Sequence, residues 1–521
     1  MKLFNAFRPI ESWPFLILLF ILIYGIDLII ARDFWVQDEA RYGEIVREML
    51  EHRQWLIPHL NGHPYPDKPV FYFWIVAGVG ALIGNGELAF RLVTVASTAA
   101  AGFGVHRVAL QLLGSTSAWW ATALFLTTFL TLIVGHIIRM DMLLTAMAVA
   151  AWASLISGRK NPRALIHFWV FTLFGLMVKG PIALLFTLLP GIIWYLWEDG
   201  RAGLQALRLR RGGLILTILV ITWAALVAGN GASGYLSQIW QEQLVGRAIN
   251  SWSHREPIWF YLVLLPLLLM PWTPLIPLGF KQLWNDRPIA ARSVTCFTLA
   301  PLVGISLISG KLFIYLEPLI PGLALAAGYA ATITHRELAI PRSWSIPAVV
   351  FFAFLALTVG YITQRHLECP GRELGWLAAL ILLGCADIAR RAIHTSRRVW
   401  IWRQLGLALI LSGALFGVLI TPLNPLYSGR AIGEYLAREV PATTPIGIIR
   451  TTRGIFNYYA QRTFTELSPE EVSDWRKANP EALLIFPSGL RLSPPECQVI
   501  RTFSVELIEY QLLRCGASRN S

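Results

Sequence analysis

Residues 13–31 read WPFLILLFILIYGIDLIIA, and the chain continues directly into RDFWVQDEARYGEIVREMLEHR at residues 32–53. The first stretch is almost entirely apolar and has the length, roughly 20 residues, that a helix needs to cross a bilayer. It is too long for a cleaved signal peptide and no small-residue cleavage site follows, so we expect a retained membrane helix. The second stretch is dense in charges of both signs, which predicts a polar helix on the far side of the membrane.

The composition extends this prediction to the whole chain. Of 521 residues, 55% are hydrophobic and only 14% are charged, and 21 are Trp. The mean hydropathy is +0.55, far from that of a soluble domain. We expect an α-helical polytopic membrane protein with about thirteen transmembrane helices at the usual span length. The predicted spans begin near residues 13, 88, 116, 142, 164, 181, 213, 258, 293, 312, 344, 374 and 400.

The orientation follows from the basic residues, because short cytoplasmic loops carry most Lys and Arg. Residues 70–84, VFYFWIVAGVGALIG, are short for a crossing. If this segment lies in the interface, every strongly basic short loop falls on one side. Those loops carry Lys2 and Arg8; Arg107; Arg159, Lys160 and Arg163; Arg201, Arg208, Arg210 and Arg211; Lys281, Arg287 and Arg292; Arg336 and Arg342; and Arg390, Arg391, Arg397 and Arg398. We therefore predict a non-spanning 70–84 and a cytoplasmic N-terminus.

This topology divides the chain into a transmembrane domain, residues 1–421, and a smaller extracytoplasmic domain, residues 422–521. The net charge of +13 is explained by the inner loops, so nucleic-acid binding is not indicated. In the tail, polar helical patterns alternate with the apolar runs IGIIR, ALLIFP and VELIEYQLL, which predicts a small α/β domain. Cys497 and Cys515 lie in this domain, where oxidising conditions would permit a disulfide; their chance co-occurrence is the alternative.

A second group of polar residues falls on the predicted outer face. Asp38, Arg41, Tyr42 and Ile45 share one face of the charged helix by their spacing. A capping Asp38 paired with Arg41 is the simple interpretation. Ionisable residues at the membrane level are nevertheless costly and usually functional. The other members of the group are Asp67, Lys68, Arg139, Asp141, Lys179, His254, Arg255, Glu256, Lys311 and Tyr315.

Together these residues suit sugar transfer from a lipid-phosphate donor. Lys and Arg stabilise the charge of a leaving phosphate, and a carboxylate can orient or deprotonate an acceptor. The alternatives are a local ion pair of Arg139 with Asp141 and a snorkelling Lys179. A transporter of lipid-linked sugars is the competing class, although transporters tend to bind at the midplane through repeated or broken helices, and no repeat is present here.

Several motifs in this chain resemble a known family. DEARYGEIVREML, WLIPHLNGHPYPDKP, RMDM, KGP, HREPIWFYL and KLFIY follow one another over roughly the first 330 residues. They resemble the polytopic lipid-linked glycosyltransferases of the GT-C fold, in particular the lipid A aminoarabinose transferases and the polyprenol-phosphate-mannose protein mannosyltransferases. The resemblance implies a GT-C fold, a first outer loop over residues 32–87 with interfacial helices, an undecaprenyl-phosphate-linked donor and inverting transfer.

The resemblance also implies roles for individual residues. Asp38 and Asp141 match catalytic acidic residues, and the donor phosphate is matched to Arg41, Lys68, Lys179 and Tyr315. Glu39, Tyr42, Arg139 and Lys311 are expected to support them. Asp67 and His254 resemble an acidic and imidazole pair able to hold a divalent ion. Asp67 stands where aminoarabinose transferases tend to carry Glu, and two ligands do not require a metal. We therefore expect no required cofactor, with a divalent ion at this pair as the alternative.

The leading hypothesis is transfer of 4-amino-4-deoxy-L-arabinose to lipid A in the bacterial inner membrane, with the active site in the periplasm. Transfer of a polyprenol-phosphate-linked hexose to a protein or another envelope glycan is the alternative. A phosphate acceptor would need no base, whereas a hydroxyl acceptor would need Asp38 as one. Residues 230–257, which begin with GNGASG, are expected to form a hinged lid.

Overall fold

The computed structural model describes residues 11–30, 32–35, 38–84, 86–230, 233–239, 255–332, 345–368, 371–391, 397–451, 453–490 and 497–515. His254 and most of the predicted lid lie outside these residues. The chain forms two compact units. A membrane unit comprises Met1–Ile30, Pro66–Tyr72 and Phe90–Leu419, and a loop–sheet unit comprises Ala31–Tyr65, Phe73–Ala89 and Ile420–Ser521.

Helices dominate the described residues, and strands occur in two small sheets. In chain order the α-helices are α1 (Trp13–Tyr24), α2 (Ile26–Ile29), α3 (Asp38–His52), α4 (Phe71–Ile83), α5 (Gly86–Leu112), α6 (Ser115–Leu126), α7 (Phe129–His136), α8 (Asp141–Lys160), α9 (Leu165–Lys179), α10 (Ala183–Phe186), α11 (Leu188–Ala206), α12 (Leu209–Gly229), α13 (Ser233–Gln238), α14 (Phe260–Leu268), α15 (Leu275–Asp286), α16 (Pro288–Leu307), α17 (Ile320–Thr332), α18 (Ser345–His366), α19 (Gly371–Arg391), α20 (Arg397–Ser412), α21 (Ile420–Tyr427), α22 (Arg430–Glu439), α23 (Asn457–Ala460) and α24 (Val472–Ala478). The strands are β1 (His59–Leu60), β2 (His63–Pro64), β3 (Ile446–Ile449), β4 (Thr465–Leu467), β5 (Leu483–Pro487), β6 (Cys497–Val505) and β7 (Ile508–Cys515).

The predicted fold class is confirmed: a helical membrane protein with a small C-terminal sheet. Among the described residues, 8 helices are long and apolar enough to cross a membrane, or 9 if α6 and α7, which meet at 61°, form one span. A helix begins within a few residues of most predicted span starts. The total of thirteen crossings remains a prediction. Helix α4 has 13 residues, about 20 Å at 1.5 Å per residue, and its predicted interfacial position also remains a prediction.

Close helix packing in the membrane unit depends on small residues. Helix α17 contains the sequence GLALAAGYAA, and its residues up to Ala331 are all buried. A Cβ at Gly328 would lie 2.6 Å from the Cα of Ala121 in α6, so the two backbones approach as only glycine allows. Inside a bilayer the hydrophobic effect does not drive helices together, so apolar helices associate through close backbone packing of this kind.

The loop–sheet unit contains a five-stranded mixed sheet in the order β4-β3-β5-β7-β6. Strand β3 runs parallel to β4 and β5, while β7 runs antiparallel to β5 and β6. All four residues of β3 are buried, as expected for a strand covered on both faces. The register places the backbone of Cys497 opposite that of Cys515, and Cys497 is disulfide-bonded.

Candidate active site

The centre of the candidate site in the membrane unit is Asp141, the first residue of α8. Its side chain is only 1% exposed. The Lys179 ammonium, at the last residue of α9, contacts Asp141 Oδ1, and Arg139 Nε lies 3.4 Å from Oδ2. A buried carboxylate is tolerated when cations pair with it. The structure therefore brings together three residues that the sequence predicted for the site.

Tyr315 and Lys68 complete this group, which we call the phosphate cluster (Lys68, Arg139, Asp141, Lys179 and Tyr315). The Lys179 Nζ lies 4.3 Å from the centroid of the Tyr315 ring, a cation–π distance. Lys68 lies within electrostatic range of the Asp141 carboxylate. Three cations around one carboxylate leave an excess of positive charge, which is the electrostatic requirement for binding a phosphate.

Lys311 makes a different contact from that of the phosphate cluster. It is 4% exposed, and its ammonium donates to the carbonyl of Glu256 at 2.8 Å. A β-bridge joins Arg255 to Gly310 beside it. In the structure Lys311 thus fastens the end of the predicted lid to the turn before Tyr315.

Asp38 and Arg41 lie in the loop–sheet unit, on the first turn of α3. Their side chains form an ion pair of 3.6 Å and are 22% and 20% exposed, respectively. Tyr42, beside them, is fully buried and meets the Phe73 ring edge-on at 5.5 Å between centroids. The pairing of Asp38 with Arg41 agrees with the simple interpretation of the sequence, and their part in catalysis remains a prediction.

Glu39 secures the chain that leads into α3. Its carboxylate accepts two hydrogen bonds from the Arg32 guanidinium, at 2.6 and 2.9 Å. It also accepts one from the backbone N–H of Trp35 at 2.9 Å. Bidentate pairs of this kind are geometrically specific, so Glu39 supports the site by fixing residues 32–35 against the helix.

Two further acidic residues of α3, which the sequence did not single out, are buried. Glu44 is 0% exposed and accepts hydrogen bonds from Arg47 at 2.7 and 2.8 Å. Burial raises the pKa of the Glu44 carboxyl to about 7, although Arg47 acts in the opposite direction. Glu48 is 1% exposed and accepts from the backbone N–H of Gly62.

Of the predicted metal pair, Asp67 lies within the described residues and His254 lies outside them. Asp67 is half-buried. Burial raises the pKa of Tyr235, and the charge of Asp67 adds to this shift. Among the residues that the structure describes, no group of three or more His, Cys, Asp or Glu side chains could hold a metal ion. A single carboxylate is too small a donor set for a divalent cation, so the metal remains a prediction.

Glu317 is the residue near the phosphate cluster that sequence reasoning missed. It is fully buried, two positions after Tyr315, and accepts a hydrogen bond from the Thr131 hydroxyl at 2.9 Å. Its other oxygen has no hydrogen-bond partner in the described part of the chain. An ionisable residue inside the apolar run YLEPLIPG was the available signal, because such residues are functional by default.

Comparison with known proteins places these features among lipid-linked glycosyltransferases. Residues 67–226 match the family model for dolichyl-phosphate-mannose-protein mannosyltransferases. The chain is 30% identical over 432 residues to the undecaprenyl phosphate-alpha-4-amino-4-deoxy-L-arabinose arabinosyl transferase 1 of Pseudomonas fluorescens, covering 79% of this chain and 74% of the relative. It is also 30% identical to the corresponding transferase of Erwinia tasmaniensis, covering 76% and 72%.

Solved structures agree on the fold. The crystal structure of ArnT from Cupriavidus metallidurans bound to undecaprenyl phosphate matches with a TM-score of 0.77 at 17% identity, over 96% of this chain and 97% of that one. The archaeal oligosaccharyltransferase AglB from Archaeoglobus fulgidus matches with a TM-score of 0.52 at 10% identity, over 91% and 70%. The GT-C fold expected from the sequence motifs is thereby confirmed.

Proposed function

Because the chain belongs to the family of undecaprenyl phosphate-α-4-amino-4-deoxy-L-arabinose arabinosyl transferases, we propose that it moves 4-amino-4-deoxy-L-arabinose from undecaprenyl phosphate to lipid A. The observation that carries this proposal beyond family membership is the phosphate cluster. It offers a cationic site for a lipid phosphate without a nucleotide, and the resemblance assigns Asp38 and Arg41 to the same reaction.

The chemistry of the proposed step is an inverting displacement. The acceptor oxygen forms a bond to the anomeric carbon while the bond from that carbon to the donor phosphate breaks, and undecaprenyl phosphate leaves. Lys68, Arg139 and Lys179 stabilise the negative charge that collects on the leaving phosphate. Asp141 holds two of these cations in place. A lipid A phosphate is already an anion and needs no base, so with this acceptor Asp38 orients the reacting groups or stabilises the amino sugar. A hydroxyl acceptor would instead give its proton to Asp38.

We also propose that the protein spans the bacterial inner membrane with its N-terminus in the cytoplasm and its site in the periplasm. Support comes from the membrane unit itself. Arg159 pairs with Asp199 at 2.9 Å, and Arg292 pairs with Glu198 at 2.7 Å, so three predicted inner loops meet at one end. Asp141 begins α8 and Arg159 lies near its other end, about 30 Å away for a helix of this length.

The test is transfer from undecaprenyl-phosphate-linked aminoarabinose in reconstituted membranes, with lipid A analysed by mass spectrometry. With the wild type we expect the mass of lipid A to increase by one aminopentose. The control Asp199→Asn should give the same increase, because Asp199 is a carboxylate at the end of the membrane unit opposite Asp141. Lys179→Met and Asp38→Asn should each abolish the gain. Transfer of a hexose to a protein would replace this proposal with the alternative acceptor. No transfer with any donor, together with movement of the lipid-linked sugar across the bilayer, would establish a transporter.

A further inference from the structure

The motif WLIPHLNG contains one residue, Asn61, to which the sequence assigns no role and which the structure places at a junction. We propose that Asn61 is a positioning residue of the transferase: its side chain fastens the first outer loop to the C-terminal sheet and so fixes helix α3, which carries Asp38 and Arg41. This inference rests on the proposed function, and it deepens that function by giving the C-terminal domain a part in the reaction.

The Asn61 amide uses its full hydrogen-bonding capacity on the C-terminal domain. Its Oδ1 accepts from the Phe464 backbone N–H at 2.7 Å and from the Asn457 amide at 2.7 Å. Its Nδ2 donates to the Phe464 carbonyl at 2.8 Å and to Glu466 Oε1 at 2.9 Å. An amide has two acceptor and two donor positions, and Asn61, which is 3% exposed, satisfies all four. The side chain therefore acts as an extra strand partner for Phe464.

The backbone of the same turn is held by α3. Glu48 on that helix is 1% exposed and accepts from the Gly62 N–H at 3.1 and 3.2 Å. Asn61 and Gly62 form the two-residue turn between β1 and β2, with φ of +58° and +77°. Asn-Gly is favoured in such a turn for its backbone alone, but Gly would serve at position 61 as well. The four hydrogen bonds are what the Asn side chain adds.

A second contact brings the C-terminal domain against Arg41. Gly454 has φ +84°, and a Cβ placed there would lie 3.1 Å from Arg41 Cγ and 2.6 Å from Leu60 Cδ1. The positive φ and these close side-chain contacts favour Gly at this position. Phe34 packs on the same helix at Gly43, and its N–H donates to the Tyr459 hydroxyl oxygen at 2.8 Å. Helix α3 is thus held by the C-terminal domain along its catalytic turn.

The experiment compares two substitutions that act on the side chain and not on the turn. Asn61→Gly keeps the positive φ and removes all four bonds. Asn61→Asp keeps the shape but replaces Nδ2, which carries both donor N–H groups, with one oxygen that faces a carbonyl and a carboxylate. Asn479→Asp is the matched control. Asn479 lies in the same domain, just after α24, and among the described contacts its side chain donates only to the Trp475 carbonyl of that helix. Each purified protein is assayed for transfer, and hydrogen exchange is measured across residues 38–52.

Both Asn61 variants should lower kcat at least tenfold, since small displacements of reacting groups have effects of that size. The KM for the donor should rise by less than kcat falls, because the phosphate cluster is unchanged and Arg41 alone, of the residues matched to the donor phosphate, moves with α3. Exchange in residues 38–52 should accelerate. The control should match the wild type in all three. In Asn61→Asp, adding Glu466→Gln should restore part of the kcat, because the new amide can donate to the carboxylate at position 61.

Three results would overturn the proposal. The first is unchanged exchange in residues 38–52 in both variants, and the second is faster exchange with wild-type kcat. The third is a loss of yield with normal kcat per folded molecule, which would show a purely structural role for Asn61. If the wild type transfers no sugar, the proposed function fails, while the exchange data still decide whether Asn61 fixes α3.

Discussion

Asp141 is the residue whose surroundings determine the most about the candidate site. It is buried, and Lys179 and Arg139 supply the charges that balance it.

We expect Lys179→Met to lower the free energy of unfolding by about 3 kcal/mol, because removing one partner leaves a buried charge poorly compensated. The double variant with Asp141→Asn should recover most of that loss. The free energy of unfolding of the single and the double variant is measured in mixed micelles. The control Asp199→Asn breaks the more exposed pair with Arg159 and should change the free energy of unfolding by less than about 1 kcal/mol. Equal losses in the single and double variants would show that the pair is not coupled.

For individual residues, the sequence predicted which residues belong to the site better than it predicted which residues they contact. Asp141, Lys179 and Tyr315 lie far apart in the chain, yet their predicted position at one membrane face brought them together. Glu317, two positions after Tyr315, was missed although its place in an apolar run was a signal, and the sequence could not show its hydrogen bond with Thr131. The bidentate bond of Glu39 to Arg32 was also not predictable, since charge spacing on a helix does not say which preceding residue folds back onto it.

Helix α3 is an element whose stability should depend on pH. The pKa of Glu44 is raised by burial from 4.5 to about 7, so between these values the folded protein keeps a proton that the unfolded chain releases. The contribution is fully present below about pH 4.5 and is lost as the pH rises through 7, by up to about 3 kcal/mol. We expect the melting temperature in detergent to fall from pH 5 to pH 8, and Glu44→Gln to flatten this fall. The same slope in both proteins would assign the dependence to other groups.

The strands show where pattern reading at the element scale stops. The runs IGIIR and ALLIFP correspond to β3 and β5, because short apolar runs between turn residues are typical of covered strands. The run VELIEYQLL is instead divided by a turn between β6 and β7. Glu506 and Leu507 there have φ of +55° and +64°, a conformation that usually requires Gly or Asn. With neither residue present, the sequence carried no turn signal.

On the scale of the whole molecule, a single predicted domain boundary at residue 421 separates segments that follow one another in the sequence. It does not include the association of an early segment with the C-terminal domain. Most of the first outer loop, Ala31–Tyr65 and Phe73–Ala89, belongs to the same compact unit as the C-terminal domain. Its contacts include those of Asn61 with Phe464 and of Asp33 with Arg430 at 2.8 Å. These pairs are separated by about 400 residues in the sequence. Hydrophobic periodicity reports only local structure, so it could not have predicted which distant segments would pair.

The core of the C-terminal sheet predicts that this domain folds without the rest of the chain. Its two apolar clusters consist of residues between Ile432 and Leu513 only, among them Leu436, Ile485 and Leu512, each 0% exposed. About a hundred residues with such a core are enough for an independent domain.

We expect the fragment 422–521, produced in the periplasm, to be soluble and to melt cooperatively, as followed by near-ultraviolet circular dichroism. The control Ile485→Asp, which places a charge in the centre of the core, should abolish the transition. A fragment that shows no cooperative melting would mean that residues 32–65 complete its core, and that the outer loop and the sheet fold only together.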